Sequence, residues 1–122
     1  DYLRFAQLFL NNGTWNGQQI LQPDTVALMT TNRLPAAVLP IGFGQPQPGR
    51  GWGLGFCVVI DSTDFPYPVN RGTYWWDGSS GTRFFIDPVY DMVTVIMAAV
   101  SPANGNGFRE AFTNSVYDAV VN

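Results

Sequence analysis

Apolar side chains recur at helical spacing from the first residues. Tyr2, Phe5, Ala6 and Phe9 share one face, which predicts a helix to about Asn12 closed by Gly13, a residue suited to a left-handed C-terminal cap. A second helix is predicted over 23–31, with Pro23 at its first position and Asp24 at its positive end. Residues 33–51 hold Pro35, Pro40, Pro46, Pro48 and four glycines, and read as a long irregular loop. The period then changes to two. Over 52–61, Trp52, Leu54, Phe56, Val58 and Ile60 alternate with Gly53, Gly55, Cys57 and Val59. This predicts one strand with a large core face and a small face that lets another element come close. A second proline-containing loop over 62–71 leads to a strand carrying Tyr74, Trp75 and Trp76. Two more strands are expected over 82–86 and 92–100, joined by D-P-V-Y-D, a type I turn built on Asp87 and Pro88. Both faces of the last strand are apolar or small, so the sheet should be covered on both sides. After S-P-A-N-G-N-G, a final helix places Phe108, Phe112, Ser115 and Ala119 on one stripe, with Ala111, Val116 and Val120 beside them. The expected architecture is α/β (α+β type), an antiparallel sheet flanked by helices. No internal repeat or low-complexity tract interrupts it.

Composition narrows the function classes. The 122 residues fit one domain, and charged residues make up 12% against about 25% in typical soluble domains, while aromatics reach 15%. With a net charge of −3 and no basic patch, a nucleic-acid partner is excluded. No apolar run is long enough to span a bilayer, and the opening residues carry no signal-peptide pattern. The single Cys57 makes no internal disulfide, leaves the redox compartment open and reads as a small buried side chain inside G-F-C-V-V-I. All six cations are arginine; lysine and histidine are absent. A Ser-His-Asp or Cys-His mechanism is therefore excluded within this chain. No metal site is expected, since there is no histidine, one cysteine and no calcium-loop series. Asp61 and Asp64 flank a turn and read as solvated. G-F-G-Q-P-Q-P-G lacks the lysine of a phosphate loop, and nothing implies a cofactor.

Candidate chemistry concentrates in residues 72–100. There W-D-G-S-S-G-T forms a corner between two strand patterns, with Gly78 and Gly81 bracketing Ser79 and Ser80. Alone, the corner is an ordinary hairpin turn; at a sheet end it also supplies backbone N–H groups of the kind acyl transfer needs. Trp75 and Trp76 face opposite sides of their strand, so one of them belongs to the core.

The stretch Trp76, Asp77, Gly78, Ser79, Ser80, Gly81, Thr82, followed by Phe84, Phe85, Ile86, Asp87 and Pro88, resembles the third active-site motif of the serine β-lactamase and penicillin-binding-protein superfamily. It is most similar to the esterases and peptidases related to class C β-lactamases, in which a W-G-G-x-x-G-T-x-F-W-V-D-P run replaces the K-T-G triad. The segments D-Y-L-R-F-A-Q-L-F-L-N-N-G, W-N-G-Q-Q-I-L-Q-P-D-T-V-A-L-M-T-T and G-W-G-L-G-F match the same family in order. The resemblance implies the C-terminal portion of the β-lactamase/transpeptidase-like fold, with the Ser79 backbone N–H as an oxyanion-hole donor. It also implies that Trp76, Asp77 and Gly78 line the substrate cleft. Asp77 departs from the pattern and is either a solvated turn carboxylate or a polar group beside the cleft.

The family's S-x-x-K nucleophile motif cannot exist without lysine. Residues 1–122 are therefore expected to be a single partial domain, the C-terminal segment of a larger hydrolase. Its partner would be the N-terminal segment that holds the serine, its lysine and the tyrosine of the second motif. The helical pattern at Asp1, without an initiator methionine or cap segment, fits that expectation. Substrates implied by the resemblance are small-molecule esters, D-amino-acid peptides or β-lactams, and the implied location is periplasmic, cell-envelope or secreted in a bacterium. The low charge also favours association of the isolated chain, as a homo-oligomer or by domain swapping. The rival reading is a non-catalytic, aromatic-rich β binding module for carbohydrate or a protein partner, which exposed coplanar tryptophans would favour.

Overall fold

Strands that pair in the order in which they occur build the sheet. The computed structural model describes residues 1–42, 44–100 and 107–121. Its main sheet joins β3 (Arg50–Trp52), β4 (Cys57–Val59), β5 (Tyr74–Asp77), β6 (Arg83–Asp87) and β7 (Met92–Ile96) as an antiparallel meander. Before it come α1 (Tyr2–Leu10), a small hairpin of β1 (Thr14–Trp15) and β2 (Gln18–Gln19), and α2 (Pro23–Thr30); α3 (Phe108–Val121) follows it.

The amphipathic N-terminal pattern produces α1 as expected, and Gly13 at φ +85° ends it by donating its N–H to the Leu8 carbonyl at 2.8 Å. The β1–β2 hairpin was not anticipated. Its signal is Asn16-Gly17, both at positive φ as a two-residue primed turn requires. Helix α2 begins at Pro23 with Asp24 in its first turn.

The single strand expected over 52–61 is instead a hairpin. Trp52 pairs with Cys57, and the Gly53 N–H donates to the Phe56 carbonyl at 2.9 Å across the turn. Gly53 and Gly55 break the strand that the alternation suggested. Gly55 takes φ +98°, and Gly53 lies where an added Cβ would meet the Met29 carbonyl oxygen at the end of α2.

Both faces of the sheet are covered, as the apolar last strand predicted. On one, Phe56, Val58, Tyr74, Phe84 and Ile86 pack with Ala6 and Phe9 of α1 and Val26 of α2. On the other, Cys57, Val59, Trp75 and Phe85 pack with Tyr117 of α3. Phe65 and Val69 from the loop between β4 and β5 complete this second cluster. Each fully buried large apolar side chain contributes roughly 1.5–3 kcal/mol, so the two clusters hold the three layers together.

Two boundaries differ from the sequence reading. Strand β7 stops at Ile96 rather than continuing to residue 100, although the chain stays beside the corner, where the Val100 N–H bonds the Ser80 carbonyl at 2.9 Å. The connection read as S-P-A-N-G-N-G lies outside the described residues except for Gly107. On α3, Phe108, Phe112 and Val116 are half-buried, but Ala111, Ser115, Ala119 and Val120 are exposed, and the buried column is Arg109, Thr113 and Tyr117. The reason lies beneath the helix. The sheet face there carries Asp77, Arg83 and Asp87, which need polar partners once buried. Among the described residues no helix is long and apolar enough to cross a membrane.

Candidate active site

Asp77 and Arg83 are the last paired residues of β5 and β6, and the chain between them closes tightly. The Gly78 N–H donates to the Thr82 carbonyl at 2.8 Å, and the Gly81 N–H to the Gly78 carbonyl at 3.1 Å. Ser79, Ser80 and Gly81 thus form a three-residue hairpin loop, with Gly81 at φ +102° where a side chain would be strained. Glycine at 78 has a steric cause, since a Cβ there would strike the Thr82 hydroxyl.

Alternation along β5 separates the two tryptophans. Trp75 is 6% exposed in the α3-side core, whereas Trp76 is 36% exposed on the α1 side. Trp76 meets Trp52, which itself packs against the α3-side cluster, edge to face, with centroids 4.5 Å apart and planes at 86°. Exposed coplanar tryptophans, the arrangement that would have favoured a sugar-stacking module, are not what this pair offers. Trp76, Asp77 and Gly78 line a cleft of about 160 Å³, together with Tyr2, Thr82, Arg83, Phe84 and Met97. Complete small-molecule sites span roughly 300–1,000 Å³, so this cleft is smaller than a typical one.

Asp77 is not a freely solvated turn carboxylate: it lies at the cleft beside Arg83 and is paired there. Its carboxylate accepts from Arg83 Nε at 2.6 Å and Arg83 Nη2 at 3.0 Å, and Arg109 Nη1 lies 3.8 Å away. Burial by itself would lower the Arg83 pKa; the paired carboxylate overrides this and raises it. Arg83 also donates to Thr113 Oγ1 at 3.4 Å. Arg109, buried at the start of α3, reaches the corner itself, donating to the Gly78 carbonyl and, at 3.4 Å, to the Thr82 carbonyl. Sequence reasoning missed Arg83 and Arg109. Their signal was the Asp77–Arg83 cross-strand register and the four-residue spacing of Arg109, Thr113 and Tyr117, neither visible before the strands and helix are placed.

A second polar cluster sits on the same face. Asp87 is fully buried and accepts from Tyr117 Oη at 2.5 Å, Asn70 Nδ2 at 2.9 Å and the Val89 N–H at 2.9 Å. Burial first, then the bond to Asp87, pushes the Tyr117 phenol up. This cluster ties α3 and the 62–71 loop to the turn that follows β6. Cys57 is buried, and desolvation pushes its thiol up to about 12, against the opposing pull of Arg50. Such a thiol carries no thiolate near neutrality. Asp61 accepts from the Thr63 hydroxyl and N–H, and these bonds hold its pKa down. Ser79 and Ser80 are exposed. In a chain without lysine or histidine, neither hydroxyl has a basic amine or imidazole beside it.

No protein-family model matches the chain. Protein Rv1367c of Mycobacterium tuberculosis is 37% identical over 107 residues, covering 84% of this chain and 27% of that protein. The chain thus spans about a quarter of the length of this curated relative. Among solved structures, EstCE1, described as a hydrolase with promiscuous acyltransferase activity, aligns with a TM-score of 0.70 and 27% identity, covering 98% of this chain and 28% of its own. Simvastatin synthase LovD from Aspergillus terreus aligns with a TM-score of 0.72 and 23% identity, over 97% of this chain and 32% of its own.

Proposed function

We propose, for a chain that belongs by fold with the serine β-lactamase and penicillin-binding-protein-like hydrolases, that it forms the third-motif wall of an acyl-transfer site. The observation that carries this reading is the division of labour along β5. Trp75 is core, while Trp76, Asp77 and Gly78 line a cleft at the sheet end; Ser79, the next residue in the turn, is exposed, and its N–H is the donor we assign to the developing oxyanion. The nucleophilic serine, its lysine and the second-motif tyrosine come from a preceding segment of the same protein. In the reaction, the serine Oγ gives its proton to the lysine–tyrosine pair and bonds to the substrate carbonyl carbon, whose oxygen becomes negative against the Ser79 N–H. The carbonyl re-forms as the bond to the leaving alcohol or amine breaks, that group takes up the proton, and water or another hydroxyl acceptor then displaces the acyl group from the serine by the reverse steps. Trp76 stands where K-T-G enzymes place a cation, which favours neutral acyl groups over anionic ones.

The test is a fluorophosphonate label on the full-length protein, mapped by peptide mass spectrometry. The adduct is expected on a serine outside residues 1–122. An adduct on Ser79 or Ser80, or the absence of any adduct on active protein, overturns the reading.

A further inference from the structure

We propose that Arg109 is a positioning residue that aims the Ser79 N–H; this rests on the reading of Ser79 as an oxyanion donor and deepens it. The Gly78 carbonyl and the Ser79 N–H belong to one planar trans peptide, in which the two groups point in opposite directions. Fixing the oxygen therefore fixes the hydrogen. The oxygen is held by two donors, the Gly81 N–H at 3.1 Å within the turn and the Arg109 guanidinium from α3. Arg109 lies on the α3 side of the sheet, so the carbonyl points toward that layer and the N–H points away from it. The cleft at this sheet end is lined by Tyr2, Phe84 and Trp76 of the α1 side and, at its rim, by Asp77 and Arg83.

The arginine is itself held. Arg109 Nη1 lies 3.8 Å from Asp77, which is bound through two bonds to Arg83, and Arg83 donates to Thr113 one helical turn beyond Arg109. A buried cation on the carbonyl oxygen also polarises the peptide and makes its N–H a stronger donor. The guanidinium thus acts on the reaction through a backbone group and never touches substrate. The W-D-G sequence gains a physical meaning from this. Asp77 anchors the two arginines, and Gly78 offers an unhindered carbonyl to one of them.

The experiment uses the full-length protein with Arg109→Met, Arg109→Lys and Tyr117→Phe, the last loosening α3 at a point remote from the corner. Three quantities are read: kcat and KM for p-nitrophenyl butyrate, the kcat/KM ratio of that ester to its thionoester, and the infrared carbonyl frequency of the acyl-enzyme. Removing a whole oxyanion donor costs about a hundred- to a thousandfold in kcat. Misaiming one is expected to cost roughly tenfold in Arg109→Met, with KM within about twofold. The oxo-to-thiono preference should fall by a similar factor, because sulfur gains little from the donor, and the carbonyl band should move to higher frequency. Arg109→Lys should recover part of each change, and Tyr117→Phe should leave the ratio and the band unchanged while lowering the melting temperature.

A folded Arg109→Met that keeps the wild-type ratio and band overturns the proposal. Where that variant does not fold, an Arg109→Lys protein with an unchanged ratio and band overturns it instead. A wild-type protein that forms no acyl-enzyme, or shows no oxo preference, rejects the underlying reading of Ser79, a result separate from either of these.

Discussion

Trp76 lines the cleft with an uncharged indole; if it stands at the K-T-G lysine position, as proposed above, the loss of that cation has a calculable effect on substrate choice. A charge-assisted contact to a substrate carboxylate is worth roughly 1.5–3 kcal/mol, or about ten- to a hundredfold in binding. Trp76→Lys in the full-length protein should therefore raise kcat/KM for nitrocefin relative to p-nitrophenyl butyrate by about tenfold. An unchanged ratio would remove Trp76 as the basis of selectivity. Asp77 is best left in place in that variant, because its charge is already matched by Arg83 and Arg109. The placement of Trp75 and Trp76 on opposite faces could be read in advance, since strand geometry fixes it. The fate of Asp77 could not. It depends on a cross-strand partner six residues away and on a helix thirty-two positions further along.

The β3–β4 hairpin and α2 form a small assembly whose integrity rests on glycines with different duties. At Gly53 a Cβ would sit 1.9 Å from the Met29 carbonyl oxygen, so alanine forces the hairpin away from the helix. At Gly55, with φ +98° and open space around it, alanine meets only backbone strain. Overpacking costs about 1–3 kcal/mol and a left-handed alanine about 1–2 kcal/mol. Gly53→Ala should thus be the more destabilising of the two in urea unfolding, and it alone should break the 2.9 Å bond that the Leu54 N–H donates to the Met29 carbonyl. The reverse ranking would mean that the contact with α2 carries little. At this scale α1 and α2 were plain from periodicity and caps. The hairpin was hidden because large and small residues keep alternating through its turn. The buried column of α3 was hidden for another reason: hydrophobicity picks out an apolar stripe, while this helix covers a partly charged sheet face.

Across the whole molecule, apolar surface is left uncovered on the α1 side. Tyr2, Leu3 and Phe5 of α1 are exposed, as are Trp76 and Met97, the last at 78%. A polypeptide of residues 1–122 alone should therefore associate or bind hydrophobic dyes, and light scattering on dilution checks this. A dilution-resistant monomer with no dye binding would show that these side chains are accommodated without a partner. That the sheet has two covered faces was legible from its doubly apolar last strand, whereas the identity of each covering layer required the fold itself. The order of the strands has a further, kinetic meaning. In the meander β3-β4-β5-β6-β7 each strand pairs with its neighbour in sequence, and the longest connection within it is residues 60–73. Loop-closure entropy is accordingly small at every step, a condition under which sheets assemble quickly and with few mispairings. The corner between β5 and β6 is among the most local of these closures, completed by residues 77–83 alone. Helix α3 has no surface to dock on until that sheet face exists, so the shape of the Ser79 turn is set early and its clamp arrives last.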